Sequence, residues 1–346
     1  MKKFYKLRTA PTGLEETRPF TISTQLVLNE AVEQGMEVLP VPDSDLICLR
    51  NQNNEERYFY DQVIAQNSSL LSHLVVNDKQ LTKHFLRMAG LRVADSFLVN
   101  KEDLADELDI VFSKLQKPLV IKPLDGSHGN DVILNIETEL DYKQTLKRLF
   151  AKHNRLLIEE QIEGTEYRLT ATREKCLGII ERIPANVVGD GRQSIEELVK
   201  QKNQDPRRAD SPNEASLVYL TFNQESDGLL HEQGLTRKSI PEKGRRVFLR
   251  RVSNLSQGGD SVDLTNQAHS SLKELAQRIM KAIPGLEFAG IDLICPDLKS
   301  DVFEQKYCVV EINNSPGFAN TQLPAFGAGR KIAADFLKLL FENEVW

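Results

Sequence analysis

Val309-Val310-Glu311-Ile312-Asn313-Asn314-Ser315-Pro316-Gly317, close to the C-terminal end of the chain, decides the fold. Val309, Val310 and Ile312 mark a β-strand, and Ser-Pro-Gly stops it. Side chains alternate faces along a strand, so Glu311 and Asn313 project to the same side. An anionic and a neutral oxygen ligand side by side suit a hard cation such as Mg²⁺. Upstream, Phe288-Ala289-Gly290-Ile291-Asp292-Leu293-Ile294 reads as a buried strand carrying one acid. An isolated acid in an apolar strand is costly unless paired or metal-bound. Asp292, Glu311 and Asn313 together are therefore expected to form a metal cradle. Taken singly, either strand could be an edge whose polar residues face water.

The 346 residues are enough for two or three domains. A 40% apolar and 27% charged composition is that of an ordinary soluble chain. The net charge of −6 and the lack of a long Lys/Arg run argue against a nucleic-acid surface. No segment is long and apolar enough to span a bilayer, and the basic start Met1 to Lys6 is followed by no apolar core. Cys48, Cys176, Cys295 and Cys308 lack metal-like spacing and read as reduced thiols, so a cytoplasmic setting is expected.

Along the chain, residues 1–76 read as a small α/β unit. Its helix runs from Thr21 to Gln34, a strand lies at Met36 to Pro40, and a hairpin turns at Asn51 to Glu56. Asn77 is expected to cap a helix whose inner face is Leu81, Phe85 and Met88. The strand Leu119 to Pro123 carries Lys122 straight into Asp125-Gly126-Ser127-His128-Gly129. Glycines there let backbone amides approach an anion, with Ser127 adding a hydroxyl donor; the loop lacks the Gly-Lys-Ser/Thr ending of a P-loop. Arg155 to Glu160 is a strand ending in two acids, and Glu166 and Arg168 follow the turn. Residues 201–244 are polar and turn-rich and read as a mobile excursion rather than core. Helices are expected at Leu272 to Ala282 and Ile332 to Phe341.

The order of these features resembles the ATP-grasp superfamily, from Asn77 to Phe341. Within it, Val120 to Gly129, Pro184-Ala185-Asn186-Val187-Val188-Gly189-Asp190-Gly191, Gln233 to Thr236 and Leu249-Arg250-Arg251 look like cyanophycin synthetases. Asn254-Leu255-Ser256-Gln257-Gly258-Gly259-Asp260-Ser261-Val262-Asp263 is similar both to those and to the ATP-grasp half of bifunctional glutathione synthetases. The resemblance implies an α+β ATP-grasp fold with an N-terminal α/β domain (1–76), a central lid domain (77–165) and a C-terminal antiparallel-sheet domain (166–346).

It also implies roles. Lys79 and Lys122 would contact ATP phosphates, covered by Gly126, Ser127, His128 and Gly129. Glu159 and Glu160 would lie near adenine, Ile162 would read it from the hinge backbone, and Glu166 would hold the ribose. Asp292, Glu311 and Asn313 would hold two Mg²⁺ ions, Mn²⁺ being an alternative. Arg168, Arg182, Arg251 and the Ser256, Gln257, Gly258, Gly259 turn would face a carboxylate and its acyl-phosphate, with Lys122 and the three arginines counted as catalytic. The expected activity is ATP-dependent ligation of a carboxylate to an amine on an amino acid, dipeptide or short peptide, with a homodimer as the default assembly. The alternatives are an ATP-grasp small-molecule kinase and a nucleotide-binding module without turnover.

Each residue also has a plain reading: Lys79 a solvated helix residue, Arg182 a strand partner, Asp190-Gly191 a type I′ turn. Set against the resembled families, these 346 residues are expected to carry no Mur-like or glutamate–cysteine ligase portion. It reads Ser256-Gln257 where those families have Thr before the glycines. Gly290 stands where D-alanine–D-alanine ligases have an arginine, so that charge is expected from elsewhere.

Overall fold

The computed structural model describes residues 20–41, 44–124 and 131–342. The expected loop residues Gly126, Ser127, His128 and Gly129 lie outside them.

The first unit is α1 (Ile22–Glu33), β1 (Glu37–Pro40), β2 (Leu46–Arg50), β3 (Glu56–Tyr60) and β4 (Ile64–Ala65), with the strands in sequential antiparallel order. Thr21 caps α1, its hydroxyl accepting from the Thr24 amide. This unit does not close a core alone. Val27, Leu28, Ile47, Leu49 and Phe59 pack with Phe288, Phe336, Leu337 and Leu340 from the far end of the chain, and the Phe59 and Phe336 rings meet edge-on at 5.7 Å.

Two helices follow, α2 (Leu70–Asn77) and α3 (Lys79–Met88). Asn77 closes α2 instead of capping α3. The cap is Asp78, whose Oδ1 accepts from the amides of Gln80 (2.8 Å) and Leu81 (3.0 Å). The buried face of α3 is also rotated by one position from the expected stripe. Thr82, Lys83 and Leu86 are inside, while Leu81 and Met88 are 43% and 72% exposed. Leu86 and Leu91 anchor the helix to the large core of the C-terminal part, so the lysine beside them is held on the inner side.

The lid sheet comprises β5 (Ser96–Asn100), α4 (Ala105–Lys114), β6 (Leu119–Pro123), β7 (Ile133–Ile136), α5 (Glu139–Phe150) and β8 (Arg155–Glu160). Its antiparallel order is β5-β8-β6-β7, with α5 packing Tyr142, Leu146 and Leu149 on Leu119, Ile121 and Ile158. Alternation places Leu119 and Ile121 inward and Lys122 toward the opposite face.

Next come β9 (Thr165–Thr172) and β10 (Cys176–Ile183). A segment follows of β11 (Asn186–Val188), α6 (Ile195–Lys202), β12 (Arg208–Ala209), β13 (Leu217–Val218), α7 (Gln224–Glu232) and β14 (Arg246–Phe248). The excursion 201–244, expected to lie outside any core, has one. Leu220 and Leu230 are buried with Val187, Leu198, Val199, Val247 and Leu249. These contacts join residues far apart in sequence, so local composition conceals them. Asp190-Gly191 is not a hairpin turn; the Asp190 carboxylate accepts from the Arg192 and Gln193 amides, both 2.8 Å, and the chain turns toward α6.

The chain closes with β15 (Asp260–Asp263), α8 (Ser270–Ala282), β16 (Phe288–Cys295), β17 (Cys308–Asn313), α9 (Ala319–Gln322) and α10 (Ile332–Glu342). The main sheet is antiparallel throughout, in order β15-β10-β9-β16-β17. Leu272, Leu275 and Ile279 of α8 cover one face against Leu169, Ile291 and Leu293. All four cysteines are free and buried. His269 is structural, its ring nitrogen accepting from the Ser271 amide at the start of α8.

Candidate functional site

The register of the main sheet builds a row of charge. Arg168 on β9 lies opposite Asp292 on β16, and Asp292 lies opposite Glu311 on β17, with Asn313 opposite Gly290. On the other side, Glu181 pairs with Tyr167 and Arg182 with Ser261, which brings Arg182 alongside Glu166. The expected residues Glu166, Arg168, Arg182, Asp292, Glu311 and Asn313 thus share one end of the sheet.

Their side chains alternate in sign. Arg168 donates from Nε to Asp292 Oδ1 and from Nη2 to Asp292 Oδ2 (2.9 Å), a bidentate fork. Arg182 Nη1 lies 3.2 Å from Asp292 Oδ1 and donates to Glu166 Oε1 at 2.8 Å. Ser253 Oγ donates to the other Glu166 oxygen. Burial pushes the Asp292 carboxyl up, but the Arg168 and Arg182 guanidinium groups outweigh it and hold the group below the usual aspartate range. Burial pulls the Arg168 guanidinium down, and Asp292 more than restores it, so it stays charged. Arg182 keeps a donor in reserve, its buried Nε having no hydrogen-bond partner among the described residues.

Gly290 explains where the missing arginine went. A Cβ at this position would meet Arg168 Nη1 at 2.9 Å, Arg168 Cδ at 3.1 Å and Pro316 Cβ at 2.9 Å. Arg168 lies across the bare backbone of β16 to reach Asp292. The guanidinium beside Asp292 and Gly290 thus comes from β9.

A second cluster joins α3 to the lid sheet. Glu159 on β8 accepts from Lys83 on α3 and from Lys122 Nζ on β6 at 2.6 Å, and Lys83 Nζ also donates to the Ala94 carbonyl at 3.2 Å. The Lys83 and Glu159 side chains are only 5% and 8% exposed. Burial pushes the Glu159 carboxyl up, and the two ammonium groups pull it further down, so it is ionised. Burial also draws Lys83 below the usual lysine range, with Glu159 opposing.

Glu159 pairs with Lys83 and Lys122 in this structure, and Lys79 is not part of that pairing. Lys79 Nζ donates to the Leu124 carbonyl at 3.1 Å, at the foot of the loop that follows Lys122. Sequence reasoning missed Lys83; its signal was a lysine three residues before Leu86, on the buried face of a helix. Among the described residues, no backbone hydrogen bond uses the Ile162 N–H or C=O in the hinge before β9. Glu160 accepts from the Gln116 amide at 2.9 Å.

Arg251 is not brought to the charged row. Its side chain is 52% exposed and pairs with Glu232 at 2.5 Å. It is Arg250 that is buried, donating to the Leu249 and Thr221 carbonyls at 2.7 and 3.0 Å. Ser256 and Gln257 form a 3-10 turn capped by Asn254, and Gly258 takes the left-handed conformation at φ 92°. The turn delivers the chain to Asp260, opposite Ile183, next to Arg182.

Glu311 is half-buried and makes no ion pair among the described residues, and it faces Asp292 across the sheet. Asp292 accepts two hydrogen bonds from Arg168 and lies within ion-pair distance of Arg182, out of the roughly four hydrogen bonds a carboxylate can take. Among the described residues no group of three or more His, Cys, Asp or Glu side chains is placed to hold a metal. The candidate donor set of two carboxylates and an amide oxygen still fits a hard, oxygen-seeking cation, which completes its shell with water or phosphate.

No family model matches the chain. It is 32% identical to cyanophycin synthetase from Trichormus variabilis over 323 residues, which is 93% of this chain and 35% of that protein. It is 32% identical over 339 residues to the glutathione biosynthesis bifunctional protein GshAB from Enterococcus faecalis, 97% of this chain and 44% of that protein. The chain therefore spans less than half the length of these relatives. In three dimensions it is similar to a bifunctional glutathione synthetase from Pasteurella multocida, with a TM-score of 0.74 and 30% identity over 93% of this chain and 43% of that one. No helix among the described residues is long and apolar enough to cross a membrane.

Proposed function

The chain is built on the ATP-grasp fold, and from that premise we propose that it is an ATP-dependent ligase joining a carboxylate to an amine through an acyl-phosphate. The substrates are an amino acid, dipeptide or short peptide, the class to which the names of its relatives point. The observation that carries the reading is the sheet-end row Glu166–Arg182–Asp292–Arg168, with Glu311 beside it and a buried Arg182 donor still unused. Such a row has cations for a phosphorylated acid and anions for a counter-cation on one platform.

Each part has a task. Lys83 and Lys122 neutralise nucleotide phosphate charge, and Ile162 offers free backbone to the base edge. Asp292, Glu311 and Asn313 would hold a divalent cation, Mg²⁺ or Mn²⁺, which supplies Lewis-acid charge neutralisation on the phosphoryl oxygens. Arg168 and Arg182 orient the acid so that one carboxylate oxygen attacks the γ-phosphorus, forming the O–P bond and releasing ADP. The amine then attacks the acyl carbon, the C–O bond to phosphate breaks, and amide and inorganic phosphate leave. No protein nucleophile takes part. The Ser256 to Gly259 turn would exclude water from the acyl-phosphate. The division into units 1–76, 77–165 and 166–346, a homodimer and a cytoplasmic setting complete the proposal.

The test is ADP release with Mg²⁺–ATP over amino acids and dipeptides, singly and in pairs, with mass spectrometry of products. ADP release coupled to an amide-mass product supports the reading. A phosphorylated hydroxyl product, or ATP binding with no ADP release from any pair, refutes it.

A further inference from the structure

The excursion buries an ionic knot directly behind the Ser256 to Gly259 turn. Asp260, 2% exposed, takes Arg208 on Oδ1, and on Oδ2 both Lys202 Nζ at 2.5 Å and Asn186 Nδ2 at 3.0 Å. Arg208, 4% exposed, also donates from Nη1 to the Val218 carbonyl at 2.6 Å and to the Gly258 carbonyl at 3.4 Å. Lys202 reaches the Asn186 carbonyl at 2.7 Å. One guanidinium therefore ties three things together: β13, the turn, and the first residue of β15.

The turn has no slack. A Cβ on Gly258 would stand 3.1 Å from the Tyr219 carbonyl oxygen and 3.2 Å from Leu220 Cα, and one on Gly259 would stand 2.8 Å from the Ile183 carbonyl oxygen. The turn is thus wedged between the excursion and β10, one residue from Arg182. A buried salt bridge is a weak source of net stability, because desolvation offsets the attraction. Its directional bonds do fix geometry, since an arginine fork satisfies several acceptors only in one arrangement.

We propose that Arg208 is a positioning residue: through Asp260 and the Gly258 carbonyl it sets the Ser256 to Gly259 turn, and so determines acid-substrate affinity. The inference rests on the ligase reading for its substrate side, while the mechanical coupling stands apart from it. The excursion is then the outer wall of the acid site.

The test uses the full chain with Arg208→Lys, which keeps the charge beside Asp260 but has no fork, and Lys202→Met as a second variant. Arg237→Gln, an exposed pair with Asp227 elsewhere in the excursion, is the control. Hydrogen exchange of the Leu255 to Asp260 amides is read by mass spectrometry, and Mg²⁺–AMP-PNP affinity by calorimetry. KM values are measured with the acid–amine pair found in the panel. Arg208→Lys is expected to speed exchange in the turn about tenfold and raise KM for the acid about tenfold. KM for ATP and AMP-PNP affinity should stay within about twofold. Lys202→Met should shift the same quantities less, and Arg237→Gln none of them. Unchanged exchange in both variants overturns the coupling whatever the protein's activity. Faster exchange with an unchanged acid KM, or equal rises in the acid and ATP KM values, overturns the positioning role. A wild type that makes no amide fails the ligase reading and the substrate half of the inference with it; the exchange result still decides the coupling.

Discussion

Replacing Lys83 with Met separates the phosphate role proposed for it from the one expected at Lys79. The Lys83 ammonium is buried, shares Glu159 with Lys122 and has one further acceptor, the Ala94 carbonyl. A hydrogen bond to a charged group contributes about 1.5–3 kcal/mol, and 1.4 kcal/mol is tenfold in affinity, so Lys83→Met should weaken Mg²⁺–AMP-PNP binding about 10- to 150-fold. Stability should fall by a similar 1.5–3 kcal/mol, because Glu159 keeps Lys122 at 2.6 Å. Glu159→Leu strands two ammonium groups and should cost more, roughly 3–5 kcal/mol. Lys79→Met removes, among its contacts, the tie to the Leu124 carbonyl and should weaken affinity less than Lys83→Met does. Calorimetry gives the affinities and urea unfolding the stabilities. An affinity loss larger in Lys79→Met than in Lys83→Met would refute the assignment, as would a Glu159→Leu variant as stable as wild type.

Glu311→Ala should abolish ADP release while urea stability stays within about 1 kcal/mol, since the side chain is half-buried and has no ion-pair partner among the described residues; retained turnover would remove it from the cation site. Gly290→Ala places a methyl 2.9 Å from Arg168 Nη1, so the fork on Asp292 must shift, and a loss of about 1–3 kcal/mol with a crystallographically displaced Arg168 is expected. Asp292 and Glu159 titrate below their unfolded values, so the unfolded chain binds more protons in the acid range and stability rises with pH there. Their contribution should be fully present above about pH 5 and lost progressively as pH falls through the depressed values, and Asp292→Asn should flatten that acid slope in urea midpoints. Phe336→Ala should cost about 3–5 kcal/mol and loosen the N-terminal strands and α10 together, read by hydrogen exchange, because Phe59 and Phe288 both pack on that ring.

What could be read from the sequence was whatever depends on neighbours a few residues away. Strand alternation put Glu311 and Asn313 on one face, and Pro123 and Ser315-Pro316-Gly317 marked strand ends. The bounds of Arg155–Glu160 and Leu119–Pro123 agree with the structure to the residue. What could not be read depends on contacts across the fold. Lys83 looks like any helix lysine until Leu86 is seen to bury its face. Arg250 and Arg251 are adjacent and chemically alike, and only the packing decides which is inside. The excursion is polar in sequence because its buried apolar residues are few, and two of them, Leu220 and Leu230, find their partners on β11, α6 and β14. Gly290 is informative only with Arg168 lying over it, from a strand more than a hundred residues earlier.

The three contacts that fill Asp292 make its two kinds of visitor thermodynamically linked. A cation arriving at Asp292 competes with guanidinium groups for the same oxygens, and each arginine it displaces is a buried positive charge in want of an anion. An anion that engages Arg168 or Arg182 in turn vacates lone pairs on Asp292. Each ligand therefore removes part of the desolvation cost of admitting the other, and by reciprocity the coupling is equal in both directions. Cation and acid should load as a near-neutral pair, with affinity for either one low in the absence of its counterpart. A row whose two carboxylates and two guanidinium groups balance when empty thus discriminates against half-filled states, in which, on the ligase reading, an acyl-phosphate would be formed with nothing in place to hold it.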